Sequence, residues 1–149
     1  MPSGRTHAFA TGLVGATALF FPLKTLEISI LLSFGCFLGL VLYPDLDVNV
    51  GNYGNALVGA VFGKKLRKVW EMYWYPYSKI MPHRSFLSHL PVLSTAIRLI
   101  YIGMPIYILL NLLGISWGND LQYVMFGLVS VDALHFVMDI VTTFFRRRF

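Results

Sequence analysis

Four apolar stretches, about residues 8–22, 26–43, 86–113 and 121–145, leave this chain few ways to fold. In runs this long, helices satisfy every backbone polar group internally and accept lipid or other helices as neighbours. The chain is 56% hydrophobic and 13% charged, a balance that excludes disorder and disfavours an ordinary soluble fold. The expected class is all-α: a polytopic helical membrane protein of about four membrane-embedded helices, in one domain covering residues 1–149.

The first stretch is short. At 1.5 Å per residue it covers roughly 22 Å against roughly 30 Å of bilayer core, so it is expected to pack against the others or to cross part of the thickness. A signal peptide is the alternative, since Arg5 precedes the apolar run and Ala16-Thr17-Ala18 resembles a cleavage site. Two glycines dilute that run, and cleavage would discard His7. The third stretch carries Pro91 and Pro105, which deprive the carbonyls of Leu87 and Tyr101 of their helical donors and predict kinks or a break.

Between the second and third stretches, Asp45 to Asn55 has the Gly and Asn content of a loop. Lys64, Lys65, Arg67 and Lys68 follow, and then Trp70, Tyr73, Trp74, Tyr75 and Tyr77. Amphipathic aromatics beside cations suit a lipid headgroup layer, so residues 56–80 are expected to lie on a membrane surface. The net charge of +5 does not point to nucleic acid, because the basic residues sit at the ends of apolar segments, where they set topology and contact phospholipid. The single Cys36 excludes an intrachain disulfide and a structural zinc–thiolate site.

With four spans, both termini and the middle connection share one side. Ten of the twelve lysines and arginines fall there, Lys24 falls on the other side, and Arg98 lies inside the third span. The positive-inside rule makes the crowded side cytoplasmic, in a bacterial inner or plasma membrane or a thylakoid-type membrane.

All four histidines and four of the five aspartates fall in four short clusters: His7; Asp45 and Asp47; His83 and His89; and Asp132, His135 and Asp139. Such groups are costly in an apolar chain unless something offsets their desolvation, and a shared metal ion does so economically. The topology gathers them, because His7 enters the first span, Asp45 and Asp47 leave the second, and His83 to His89 opens the third, all on the cytoplasmic side. In the last span Asp139 and His135 stand about 10 Å and about 16 Å from Arg146 along the helix axis.

Asp132, His135 and Asp139 are spaced i, i+3, i+7 and share about 60° of one helix face. An interhelical ion pair, such as Asp139 with Arg98 or Arg84, is the plainer alternative. Asp45 and Asp47 follow Tyr43-Pro44, where proline disfavours helix before it, so a turn presents two hard oxygen ligands. His83 and His89 are about 240° apart on a helix, so both can face one ion only if His83 precedes the helix. Ser85 reads as a helix cap. Arg84 is suited to bidentate contact with a phosphate, or equally to a surface or headgroup role. Glu27 and Glu71 read as solvated, with Glu71 an outside candidate for a general base, and Asp120 falls in an outer loop apart from the clusters.

Taken in order, Thr6-His7, Pro44-Asp45-x-Asp47, His83-Arg84-Ser85-x-x-x-His89 and Asp132-x-x-His135-x-x-x-Asp139 resemble small integral-membrane proteins of bacteria, archaea and cyanobacteria described as metal-binding. They are also similar to the broader family of inner-membrane, membrane-bound metal-dependent hydrolases. The resemblance spans almost the whole chain and implies a hydrolase-like metal site, with zinc phospholipases and nucleases as candidate relatives. It supplies no substrate.

Two functions follow. The first is a metal-dependent hydrolase of a phosphoester, such as a phospholipid or lipid-linked phosphate, at the cytoplasmic face. Its ligand pool is His7, Asp45, Asp47, His83, His89, Asp132, His135 and Asp139, for one or two divalent ions, zinc first and manganese or magnesium next. A spare aspartate, Asp47, would take the proton of the attacking water, and Arg84 would steady the phosphate. The second is a non-enzymatic subunit whose metal or polar cluster knits short helices together, with partner proteins in a larger membrane complex. An ion carrier ranks last, because the outer halves of the spans hold almost no ionisable residues.

Overall fold

A computed structural model describes residues 4–20, 25–42, 44–48, 52–81, 90–114, 118 and 121–148. Among these there are five α-helices and no strand: α1 (Gly4–Phe20), α2 (Leu26–Leu38), α3 (Tyr53–Ile80), α4 (Pro91–Leu112) and α5 (Leu121–Arg148), with a 3₁₀ turn at Pro44–Asp47. Two helices are long and apolar enough to cross a membrane, over Val92–Leu112 and Leu121–Phe145. At 17 and 13 residues, α1 and α2 are shorter than a bilayer core is thick.

Thr25 starts α2 by accepting the amide of Ile28 on its hydroxyl, at 3.3 Å. The helix ends earlier than the apolar stretch does. From Gly39 onward the amides turn to carbonyls three residues back, Gly39 to Cys36, Leu40 to Phe37 and Val41 to Leu38, each at 3.0 Å. This tightening leads the chain into the 3₁₀ turn that carries Asp45 and Asp47.

α2 packs between α1 and α5, and α4 lies against α5. The α2–α5 contact brings backbone against backbone at two glycines. A Cβ on Gly35 would stand 2.0 Å from the carbonyl oxygen of Val124, and one on Gly127 would stand 2.1 Å from that of Leu32. On the other flank the Ser33 hydroxyl donates to the Gly15 carbonyl at 2.6 Å, joining α2 to α1. The main apolar cluster unites Cys36, Leu42, Leu46, Trp74, Tyr77, Met81, Leu128 and Val131, and so lies where the 3₁₀ turn, the second half of α3, and α5 meet.

Asn52 caps α3, accepting the Asn55 amide at 2.7 Å. The helix bends at Gly63, whose φ of 85° and ψ of 169° belong to a region that only glycine occupies without strain. The bend folds the two halves toward each other, since a Cβ on Gly59 would meet the Arg67 Cδ at 2.9 Å. Gly63→Ala is expected to cost about 1–3 kcal/mol, read as a lowered unfolding temperature, although no atom stands within 4 Å of the new methyl. The aromatic run does not all face outward: Tyr75 is exposed, but Trp74 and Tyr77 are buried, because at this pitch they fall on the face turned to α4 and the 3₁₀ turn.

Pro91 opens α4 instead of kinking it, as suits a residue without an amide donor at the first helical position. Pro105 lies inside the helix, and the carbonyl that it deprives, that of Tyr101, accepts the Tyr73 hydroxyl at 2.9 Å. The Tyr101 hydroxyl returns a bond to the Tyr73 carbonyl at 2.7 Å. This reciprocal brace joins α3 to α4.

Candidate metal centre

The buried residues of α1 are His7, Thr11 and Gly15, spaced i, i+4, i+8, so one stripe faces the bundle and places His7 at its end. On α5, His135 and Asp139 are one turn apart and point the same way. Two helices distant in sequence therefore bring two imidazoles and a carboxylate to one point.

The ligand atoms of His7, His135 and Asp139 all lie within 4.8 Å of one another. His7 Nε2 is 3.2 Å from Asp139 Oδ1, and His135 Nε2 is 3.5 Å from Asp139 Oδ2. Asp45, on the 3₁₀ turn, brings its Oδ2 to 3.9 Å from His135 Nε2. Ligands around a tetrahedral ion with bonds of 2.0–2.1 Å are about 3.3 Å apart, so these separations suit a shared ion. The two imidazole rings stack with centroids 3.8 Å apart and planes 15° from parallel.

Burial sharpens the fit. His7, His135 and Asp139 are only 6–7% exposed, whereas the Asp45 side chain is 30% exposed and forms the open edge. His7 Nδ1 is buried with no hydrogen-bond partner among the described residues. A cavity of about 20 Å³, room for about one water, adjoins the imidazoles between Gly4, His7, Thr11, Gly39, Tyr53 and His135. Two imidazoles with one or two carboxylates and a water position are a donor set for a divalent cation of borderline character.

The remaining candidates are distributed differently. Asp132 is 1% exposed and is held by Arg98 and by the Thr95 hydroxyl on its Oδ2, and it is not part of the close cluster of His7, His135 and Asp139. Asp47 is also buried, on the side of Tyr77. Burial pushes the Tyr77 phenol up to about 12; Arg98 opposes the shift, and Asp47 and Asp132 reinforce it. His83, Arg84, Ser85 and His89 lie outside the described residues. Ser94 and Thr95 have no counterpart among the expected site residues, although a Ser-Thr pair one turn before a charged residue in an apolar stretch is a sign that the charge is solvated internally.

A family model described as uncharacterized metal-binding protein (DUF2227) matches residues 2–125. The chain belongs to this family. Metal binding thus has support independent of the geometry, and DUF2227 covers His7, Asp45 and Asp47 while stopping short of His135 and Asp139. The place of those two residues in the centre rests on their distances. No curated protein and no solved structure matches the chain, and the DUF2227 match carries no link to the membrane-bound hydrolases.

Proposed function

We propose that this member of DUF2227 is a membrane-embedded metalloprotein that hydrolyses a phosphoester of a phospholipid or lipid-linked phosphate. The observation that carries the reading is the buried His7–His135–Asp139 trio at ligand spacing, with room for about one water beside it and Asp45 at its edge. A cation held there would acidify a water and offset charge building on a phosphate. Asp45, the most exposed carboxylate of the group, is placed to accept a proton on the open side. Asp45 thereby takes the proton-accepting part expected of Asp47, which is buried on the side of Tyr77, while Arg84 keeps its part as the phosphate-steadying cation.

The membrane setting is supported by what the long helices leave uncovered. Only 17% of the most apolar part of Val92–Leu112 and 33% of that of Leu121–Phe145 is buried, whereas the core helix of a soluble protein is mostly buried. Val92, Ile100, Met104, Ile108 and Leu112 all face outward from α4. In this reading α1 and α2 cover part of the bilayer thickness, both termini and the 3₁₀ turn lie on the cytoplasmic side, and headgroups pass at the level of the metal centre.

The test is release of phosphate or headgroup from a panel of phospholipids and from a soluble aryl phosphate, by detergent-purified protein loaded with zinc or manganese. Turnover of lipid that is lost on chelation and in Asp45→Asn is the expected result. Cleavage of the soluble ester alone would remove the lipid substrate. Inertness toward both would remove hydrolysis and favour a structural centre, a reading to which the small cavity and the tie between α1 and α5 also lend themselves.

A further inference from the structure

Arg98, 1% exposed near the middle of α4, is the most deeply buried cation among the described residues. Its Nε donates to the Ser94 carbonyl at 3.2 Å and its Nη2 to the Ser94 hydroxyl at 3.2 Å and to Asp132 Oδ2. Its Nη1 donates to the Leu42 carbonyl. That last bond is the informative one. Leu42 follows the end of α2, where carbonyls have run out of helical amides, and it stands two residues before the turn that carries Asp45. Asp132 in turn lies three residues before His135 on the same face of α5. One guanidinium therefore spans from the strut behind Asp45 to the strut behind His135.

We infer that Arg98 is a positioning residue of the metal centre, which holds Asp45 in reach of the ion bound by His135 by bracing the Leu42 carbonyl against Asp132 of α5. The planar fork of a guanidinium can hold a carbonyl and a carboxylate at once in fixed directions, which a single ammonium cannot. By engaging Asp132 Oδ2 together with Thr95, Arg98 occupies the second of the two carboxylates of α5. The inference rests on the metal reading given above.

The test is a double-mutant cycle on zinc affinity, measured by competition with a chromophoric chelator on the full-length protein in detergent. Arg98→Met with Asp132→Leu removes the pair without stranding a buried charge. Its zinc affinity is expected to fall about 10- to 100-fold, as when groups that orient metal ligands are lost. Asp45→Asn is expected to weaken the wild-type protein but to add nothing in the paired variant, because the carboxylate there is already out of place. Arg98→Lys retains the charge and serves where the paired variant does not fold; the same loss, with the unfolding temperature little changed, is expected. Full affinity in these variants, or an Asp45→Asn effect in the paired variant or in Arg98→Lys as large as in the wild-type protein, would overturn the inference. Absence of zinc uptake by the wild-type protein would remove the metal reading itself, and the inference with it.

Discussion

Replacing His135 with alanine is expected to strip the purified protein of its metal. His135 is the hub of the centre: its Nε2 lies 3.5 Å from Asp139 and 3.9 Å from Asp45, and its ring stacks on His7. Without it, one imidazole, His7, remains with Asp139 at 3.2 Å and with Asp45 at the open edge, a set too weak to compete with a chelating buffer. Metal content measured by elemental analysis should fall from about one ion per chain to background. A second readout follows from linkage. An ion present at 100 times its dissociation constant stabilises the folded state by about 2.7 kcal/mol, so EDTA should lower the unfolding temperature of the wild-type protein and leave His135→Ala unmoved. A metal-free His7–Asp139 ion pair predicts the reverse: chelator-insensitive melting and unchanged metal content. Either finding in the wild-type comparison would sink the assignment.

The candidate site is legible in the sequence of α5 only as far as helical period reaches. Helical period places Asp132, His135 and Asp139 on one stripe, and that much was readable. Period says nothing of reach along the axis: Asp132 and Asp139 are two turns, about 10 Å, apart, while an ion with bonds near 2 Å spans one turn. The stripe is longer than one coordination sphere, so its ends go to different partners. Asp139 meets His7, and Asp132 meets Arg98. An ion pair with Arg98 was foreseeable, but which aspartate would make it depended on the packing of α4 against α5, which the spacing of charges within each helix does not encode.

The helices were legible as apolar runs, and their ends and bends less so. Hydropathy does not distinguish a helix that continues to Tyr43 from one that tightens into 3₁₀ geometry after Leu38. The deprived carbonyl of Tyr101 follows from Pro105 alone. Its donor, the Tyr73 hydroxyl, lies 28 residues away on another helix and required the fold. Trp74 and Tyr77 read as headgroup aromatics because their composition and basic neighbours fit that role, and only the register of α3 after the Gly63 bend turns them inward.

Gly127→Leu is expected to be the most damaging single substitution in the fold. The position carries no chemistry, but a Cβ there would stand 2.1 Å from the Leu32 carbonyl oxygen and 2.9 Å from the Cys36 amide, which are rigid backbone atoms. Relief requires α2 and α5 to separate along their length. Overpacking of an interior commonly costs about 1–3 kcal/mol, and here the loss should be at or beyond the upper end, since the whole helix pair must move. Gly35→Leu should behave alike, its Cβ lying 2.0 Å from the Val124 carbonyl oxygen. Because α2 leads into the turn with Asp45 while α5 carries His135 and Asp139, separation also dissolves the metal centre. The expected readout is loss of a monodisperse species in size-exclusion chromatography together with loss of bound metal. Gly12→Leu and Gly103→Leu are the controls, since no atom stands within 4 Å of a Cβ at either position and both lie inside helices, where a side chain improves on glycine by about 0.5–1 kcal/mol. If Gly127→Leu ran and bound metal as these controls do, the close backbone contact of α2 with α5 would be wrong, and with it the register that brings His7, His135 and Asp139 together.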